Sequence, residues 1–305
     1  MIGFPLAEKA ALVAILRRWP RVPRVADLLA EHGSAARLFS QLEGAESARP
    51  RLFTDEGTGM QALLDQATSD VARWEAEGTQ VISVLDPAYP ENLAAVHDRP
   101  PLIFVSGRLE PRDMQSVAVI GSRIASEQGS ASARAIAGHL ARRGYTVVSG
   151  LAAGIDREAH TAAMAANGRT VAVIGTGLER CYPRENAALQ SRIAQDGAVV
   201  SRFWPSDPPR RQSFPMRNAV MSGMALATVV VEAGPKSGAR IQARQALAHG
   251  RPVFLLESAM RHAWARDLAR RPATYLVTAP HEITDALARL GGAALVPRGS
   301  DADRP

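Results

Sequence analysis

The pattern of apolar and polar positions changes period near residue 79. Before it, apolar residues recur at three- and four-residue intervals. Residues 6–19 have helical periodicity, 25–31 and 35–42 are shorter stretches of the same kind, and 61–77 form a longer amphipathic one. Gly33, Gly44 and the 54–59 stretch punctuate them. After residue 79, short runs rich in β-branched residues alternate with helical stretches. The runs 81–85, 102–106, 117–120, 145–149, 170–174, 198–201, 227–232 and 252–257 read as strands, with 275–277 as an edge strand. Helices fall between them, among them 155–166, 186–195 and 239–249, and a last one is expected at 281–290. Runs so continuously apolar suit strands buried on both faces. Strands alternating with helices predict an α/β fold, an extended Rossmann-like, doubly wound, mostly parallel sheet behind a small helical N-terminal domain. The expected division is 1–78 for the helical domain, 79–290 for the Rossmann-like domain and 291–305 for a flexible tail.

The stretch 116–154 organises the rest. It reads as strand, glycine turn, helix, strand, glycine turn. Gly121-Ser122-Arg123 breaks the first strand, Ser126 is placed to cap the next helix, and Glu127 suits its first turn. Gly150 and Gly154 bracket a second turn after Ser149. Asp156 is expected to cap the helix that follows, with His160 one turn further along the same face and within reach of it. Both turns lie at the carboxyl ends of strands, where open α/β sheets bind ligands. Helix starts there offer backbone N–H groups to anions.

Composition narrows the classes. The chain has 305 residues, 46% of them hydrophobic, enough for one large and one small domain with a substantial core. The net charge of +6 suits a polyanionic partner. Only Lys9 and Lys236 are lysines among 36 basic residues, so part of the excess reflects an arginine-rich composition rather than a site. Cys181 is alone, which excludes an internal disulfide or a cysteine metal cluster and fits a reducing cytoplasm. No signal-peptide pattern opens the chain, and no run of 18 apolar residues predicts a membrane span. LVPRGS at 295–300 matches a thrombin-cleavable linker and carries no fold signal.

Three further turns carry candidate chemistry. Gly175-Thr176-Gly177 precedes Tyr182-Pro183, where Tyr182 offers a ring to a base. The loop 202–217 interleaves Arg202, Arg210, Arg211 and Arg217 with Phe203, Trp204 and Phe214, cations for phosphates and flat faces for bases. Lys236-Ser237-Gly238 opens a helix after the strand ending in Glu232, with Arg240 and Arg244 one turn apart beyond it. Glycine lets a backbone approach a phosphate, serine supplies a hydroxyl and arginine a bidentate cation.

The motifs VAVIGSR, VVSGLAAGIDREAH, VAVIGTGLERCYPREN, FPMRNAVMSG and VVVEAGPKSG resemble, in order and spacing, the DprA/Smf family of DNA-processing proteins. The resemblance runs from about Asp86 to Glu257. It implies a non-enzymatic, cofactor-free homodimer that binds single-stranded DNA without base specificity, protects it and helps load the RecA recombinase, as in natural transformation and recombination. It implies a binding site made of Gly121, Ser122, Arg123, Ser149, Gly150, Gly154, Gly175, Gly177, Arg202, Arg211, Arg217, Asn218, Lys236, Ser237 and Gly238. The chain departs from the family at Ala219, where a further basic residue is usual, and after Phe254, and no stretch of winged-helix size follows its last helix. Those departures leave an alternative, a diverged defence-system, nucleotide-sensing or nucleotide-hydrolysing protein on the same fold. Against hydrolysis, there is no Pro-Gly-Gly-x-Gly-Thr turn, no Walker A motif and no evident metal-ligand cluster, and Glu232 is the one strand-end carboxylate suitably placed.

Overall fold

A computed structural model describes residues 4–47 and 59–294. The linker at 295–300 and most of the 54–59 stretch lie outside the described residues. Four helices come first, α1 (Leu6–Arg18), α2 (Val25–His32), α3 (Ala35–Ser47) and α4 (Met60–Ala76). Next come β1 (Thr79–Ser83), α5 (Glu91–Ala94), β2 (Leu102–Gly107), β3 (Ser116–Gly121), α6 (Glu127–Arg142), β4 (Thr146–Ser149) and α7 (Ile155–Ala165). They are followed by β5 (Thr170–Val173), α8 (Ala187–Asp196), β6 (Ala198–Ser201), α9 (Ser213–Met224) and β7 (Ala227–Glu232). The last elements are α10 (Ala239–Ala248), β8 (Val253–Leu256), α11 (Ala263–Ala269), β9 (Thr274–Val277) and α12 (Pro280–Ala294). No helix among the described residues is long and apolar enough to cross a membrane.

The nine strands form one sheet in the order β1-β2-β6-β5-β4-β3-β7-β8-β9. From β6 to β9 all neighbours are parallel, while β2 runs antiparallel to β6 and β1 antiparallel to β2. The doubly wound, mostly parallel sheet expected from the strand–helix alternation is therefore present. The chain winds from β3 through β4 to β6 on one side, then resumes at β7 on the other side of β3. The strand order thus reverses between β3 and β7, the switch point at which such sheets open a ligand crevice.

Alternate residues of each strand feed opposite layers, as the pleat requires. Ala118, Ile120 and Val230 pack with Val220 and Met221 of α9 and Ala243 of α10, whereas Val117, Val119 and Val229 pack with Ile136 and Leu140 of α6 and Ile155 and Ala159 of α7. The helical N-terminal layer sits on the antiparallel end of the sheet. Leu12, Ile15, Val71 and Trp74 share one buried cluster with Val81, Leu102 and Phe104. Trp74 meets Phe104 edge-on at 5.3 Å and stacks on Trp204 at 6.1 Å. The Arg17 guanidinium, held by Asp70 at 2.8 Å, lies 5.7 and 5.3 Å from the Trp74 and Trp204 indole rings.

Two element boundaries differ from expectation for identifiable reasons. The first strand ends at Ser83 rather than residue 85, because Ser83 turns the chain: its carbonyl accepts from Asp86 N and its Oγ from Leu85 N. The last helix continues to Ala294, into the stretch expected to be a tail, and starts with Pro280 after Thr278, whose N–H and hydroxyl both bond Glu282.

Because Trp74 joins the two layers and is 4% exposed, Trp74→Ala is expected to lower unfolding free energy by about 3–5 kcal/mol. Chemical denaturation followed by circular dichroism checks this, and a loss under about 1 kcal/mol would show that the layers do not depend on that ring.

Candidate nucleic-acid interface

Four strand-end and helix-start segments meet at the switch point and enclose a groove of about 650 Å³. Gly121-Ser122-Arg123 follows β3, and the turn 149–154 follows β4. The two are joined by the Ile155 N–H, which donates to the Ser122 carbonyl at 3.1 Å. Gly154 has φ +74°, and a Cβ there would run into the backbone of Ser122 and Arg123. Only glycine holds the turns this close. The loop after β7 brings Lys236, Ser237 and Gly238 to the lining, and the start of α9 supplies Phe214, Arg217 and Asn218.

The rim and the floor differ in character. Arg123 is exposed, and its guanidinium lies 4.8 Å from the centre of the Phe214 ring. Phe214 in turn packs 5.7 Å from Tyr182, which is 44% exposed, so a cation and two rings form one row. Lys236 is exposed and lines the same groove. Ile124, 91% exposed beside Arg123, adds an apolar surface that the sequence did not single out. The Ser122 hydroxyl is spent locally, donating to the Ile124 carbonyl at 2.6 Å, and Ser237 Oγ accepts from Ala239 N at the start of α10.

The floor is buried and internally bonded. Arg217 is 5% exposed. Its Nη1 donates to the carbonyls of Gly150 and, at 2.8 Å, Val173, and its Nε to Asn218 Oδ1 at 3.0 Å. Burial lowers the Arg217 pKa from its usual value, opposed by the nearby Asp156 carboxylate. Burial raises the Asp156 pKa, opposed by Arg217 and by N–H groups of the 149–154 turn. Asp156 is not the cap residue of α7, a position Gly154 takes; it lies inside the first turn and accepts from Ala152 N. His160 bonds Thr170 Oγ1 at 2.6 Å rather than Asp156, since its ring points to β5.

Several residues of the implied site do other work. Ser149 is fully buried and donates to the Val119 carbonyl at 2.6 Å, tying β4 to β3. Gly150 leaves room for the Arg217 guanidinium, and Gly175 lies under the Phe214 ring. Gly177 is buried against the backbone of Trp204 and Pro205, where any side chain would collide. Arg202 is half-buried near Asp98 and Tyr89, away from the groove, and Arg211 is exposed but outside its lining. Trp204 offers no face to a base, because it stacks in the Trp74 cluster. Glu232, the strand-end carboxylate, closes the start of α6: Oε2 accepts from Ser126 N and Oγ at 3.1 and 2.8 Å, and Oε1 from Arg261 at 3.2 Å. The groove proper therefore unites Gly121, Ser122, Arg123, Arg217, Asn218, Lys236, Ser237 and Gly238, and gains Phe214.

Elsewhere the fold assembles a cluster that no sequence motif marks. His97, Asp98 and His249 bring one donor atom each within 4.8 Å of one another. His249 is remote in the chain from the other two, so no ligand spacing could reveal the group.

A family model described as DNA recombination-mediator protein A matches residues 80–288. Protein Smf from Synechocystis sp. is 36% identical over 251 residues, covering 78% of this chain and 63% of that protein. The X-ray structure of DNA processing protein A (DprA) from Streptococcus pneumoniae superposes with a TM-score of 0.65 at 32% identity, covering 80% of this chain and 90% of that one. A structure of DNA processing protein A from Helicobacter pylori, described by its single-stranded DNA binding mode, superposes with a TM-score of 0.60 at 23% identity, covering 69% and 96%. That second likeness is one of fold. The chain spans less than two thirds of the length of several curated relatives, 63%, 61% and 54% in three of them.

This packing has two consequences for stability. Gly154→Ala forces a side chain into a left-handed backbone against the β3 turn and should cost more than about 1 kcal/mol, read from the denaturation midpoint; an unchanged midpoint would contradict the close approach. Burial pushes the His160 pKa down to about 3, far below the roughly 6.5 of an unfolded chain. The unfolded state alone binds that proton as pH falls below about 6.5, so this contribution is complete above that pH and is lost toward pH 3, by up to about 1.4 kcal/mol per pH unit. Denaturation of wild type and His160→Gln at several pH values between about 7 and 5 checks it. The wild type should show the steeper slope, and equal slopes would contradict the assignment.

Proposed function

The chain belongs to the DNA recombination-mediator protein A family, DprA/Smf, and from that premise we propose that its groove binds single-stranded DNA without reading base sequence. The observation that carries this reading is the row Arg123–Phe214–Tyr182, whose first two members line the groove together with the exposed Lys236. Phosphates need exposed cations, and unstacked bases need a flat face, which a duplex cannot present to the ring. Sequence tolerance follows from the floor. The buried Arg217 and the Ser122 hydroxyl are engaged with the protein itself, so the row is left to act on any base through its π-face. The Helicobacter relative described as binding single-stranded DNA has the same fold.

No catalytic step and no cofactor enter this proposal. Glu232 lies outside the groove lining, bound to Ser126 and Arg261, and Asp156, which lines the floor, is buried and accepts from the Ala152 N–H. As a mediator of this family, the protein acts in the cytoplasm as a homodimer. It protects strands produced in DNA uptake or recombination and helps load them with RecA recombinase. One observation favours a second reading: a 650 Å³ groove with a cationic rim is also the size of a mononucleotide site, as a nucleotide-sensing or defence protein would have.

Fluorescence anisotropy of a labelled thymine oligonucleotide, single-stranded and duplexed, separates these. Single-strand preference is expected. Arg123→Ala or Lys236→Ala should weaken binding and make the log–log salt slope shallower by about 0.7 for each phosphate left without its cation. Phe214→Ala should cost about 1–3 kcal/mol with little change in slope. Equal binding of duplex, or variants indistinguishable from wild type, would overturn the assignment. Saturable mononucleotide binding with no oligonucleotide binding would support the second reading.

A further inference from the structure

We infer that His97, Asp98 and His249 form a binding site for a divalent transition-metal ion of the zinc class, separate from the groove. His249 follows the last residue of α10, whose first residue lines the groove, so at 1.5 Å per residue the two sites lie about 15 Å apart. One nitrogen of each imidazole and one carboxylate oxygen lie within 4.8 Å of one another. Two imidazoles and one carboxylate form a three-ligand set that zinc takes readily, leaving a fourth tetrahedral position for water.

The surroundings of His249 are those of a ligand held in place. Its side chain is 1% exposed. Its Nδ1 lies 2.9 Å from Ser222 Oγ, on α9, which fixes the ring and turns Nε2 outward. Such a partner on the far nitrogen is the usual orienting contact of a metal-binding histidine. Nε2 then meets Asp98 Oδ1 at 2.8 Å. The His97 ring stands edge-on to His249, 5.4 Å between centroids, and among the described residues no hydrogen bond holds it. His97 and Asp98 are both exposed, so they can close by rotation around the fixed imidazole. Zinc–nitrogen and zinc–oxygen bonds of about 2.0–2.2 Å set tetrahedral donor atoms roughly 3.3 Å apart, so the Nε2–Oδ1 pair, now 2.8 Å, opens slightly to admit the ion as His97 swings in. Arg202 lies near Asp98 and competes for its carboxylate, and metal binding would win that group by taking three donors at once.

An ion there would tie the segment between α5 and β2 to the end of α10 and, through Ser222, to α9. Both helices also furnish the groove, so the ion would brace their far ends without touching the DNA path.

The test uses the full chain without a histidine tag, stripped with a chelator. Zinc is titrated calorimetrically, and cobalt(II) is followed by its visible absorption. One equivalent of zinc is expected, with affinity falling about tenfold or more in His97→Ala and in Asp98→Asn. Cys181→Ser should bind as wild type does. Metal-free melting temperatures of the two exposed-residue variants should match wild type, so that weakened binding is not weakened folding. No uptake by wild type, uptake unchanged in His97→Ala and Asp98→Asn, or uptake abolished by Cys181→Ser would each overturn the site.

Discussion

A buried guanidinium holds the groove together. Arg217 is charged, 5% exposed, and bound to the carbonyls that end β4 and β5. An unpaired charge in that position would be costly, so the surrounding backbone must present oxygens to it. Gly150 has no side chain because the guanidinium occupies that space, and Asn218 turns its carbonyl toward Nε. The 149–154 turn therefore takes its shape around Arg217. Gly154 carries that shape to the β3 turn, which in turn places Arg123. A residue expected to touch phosphate directly instead positions those that can.

The groove thus divides its polar groups by depth. Below, Arg217, Asp156, Ser149 and Asn218 satisfy one another and the backbone, which gives a rigid base. Above, Arg123 and Lys236 keep their charges in solvent, as the proposed phosphate contacts require. Phe214 belongs to both levels: it covers Gly175 and supports Arg123 from beneath. The same economy closes the neighbouring helix start, where Glu232 takes the place an external anion would fill at α6.

Much of this was legible in the chain. Continuous β-branched runs separated by amphipathic stretches announced a doubly wound sheet, and the glycine turns after β3, β4 and β7 marked where it opens. Local sequence could not say which side of a turn a residue faces. Arg202 and Arg217 belong to one arginine-rich stretch that reads as a loop, yet Arg202 lies beside Asp98 while Arg217 falls in the first turns of α9, under the groove. Trp204 and Phe214 alternate with the same arginines, but Trp74 draws the first ring into the helical layer while Gly175 leaves space for the second. Such choices are made by residues far away in the chain. The meeting of His97 and Asp98 with His249 has the same origin.

The proposed path of nucleic acid runs across the groove lined by Arg123, Phe214 and Lys236. Ultraviolet cross-linking of a bromouracil-substituted single strand, followed by peptide mass mapping, tests it most directly because it reports position rather than affinity. Adducts are predicted in the segments that carry Ile124, Tyr182, Phe214 and Lys236, and they should disappear when unlabelled single strand is added. Adducts confined to other surfaces, with these segments unmodified, would contradict it.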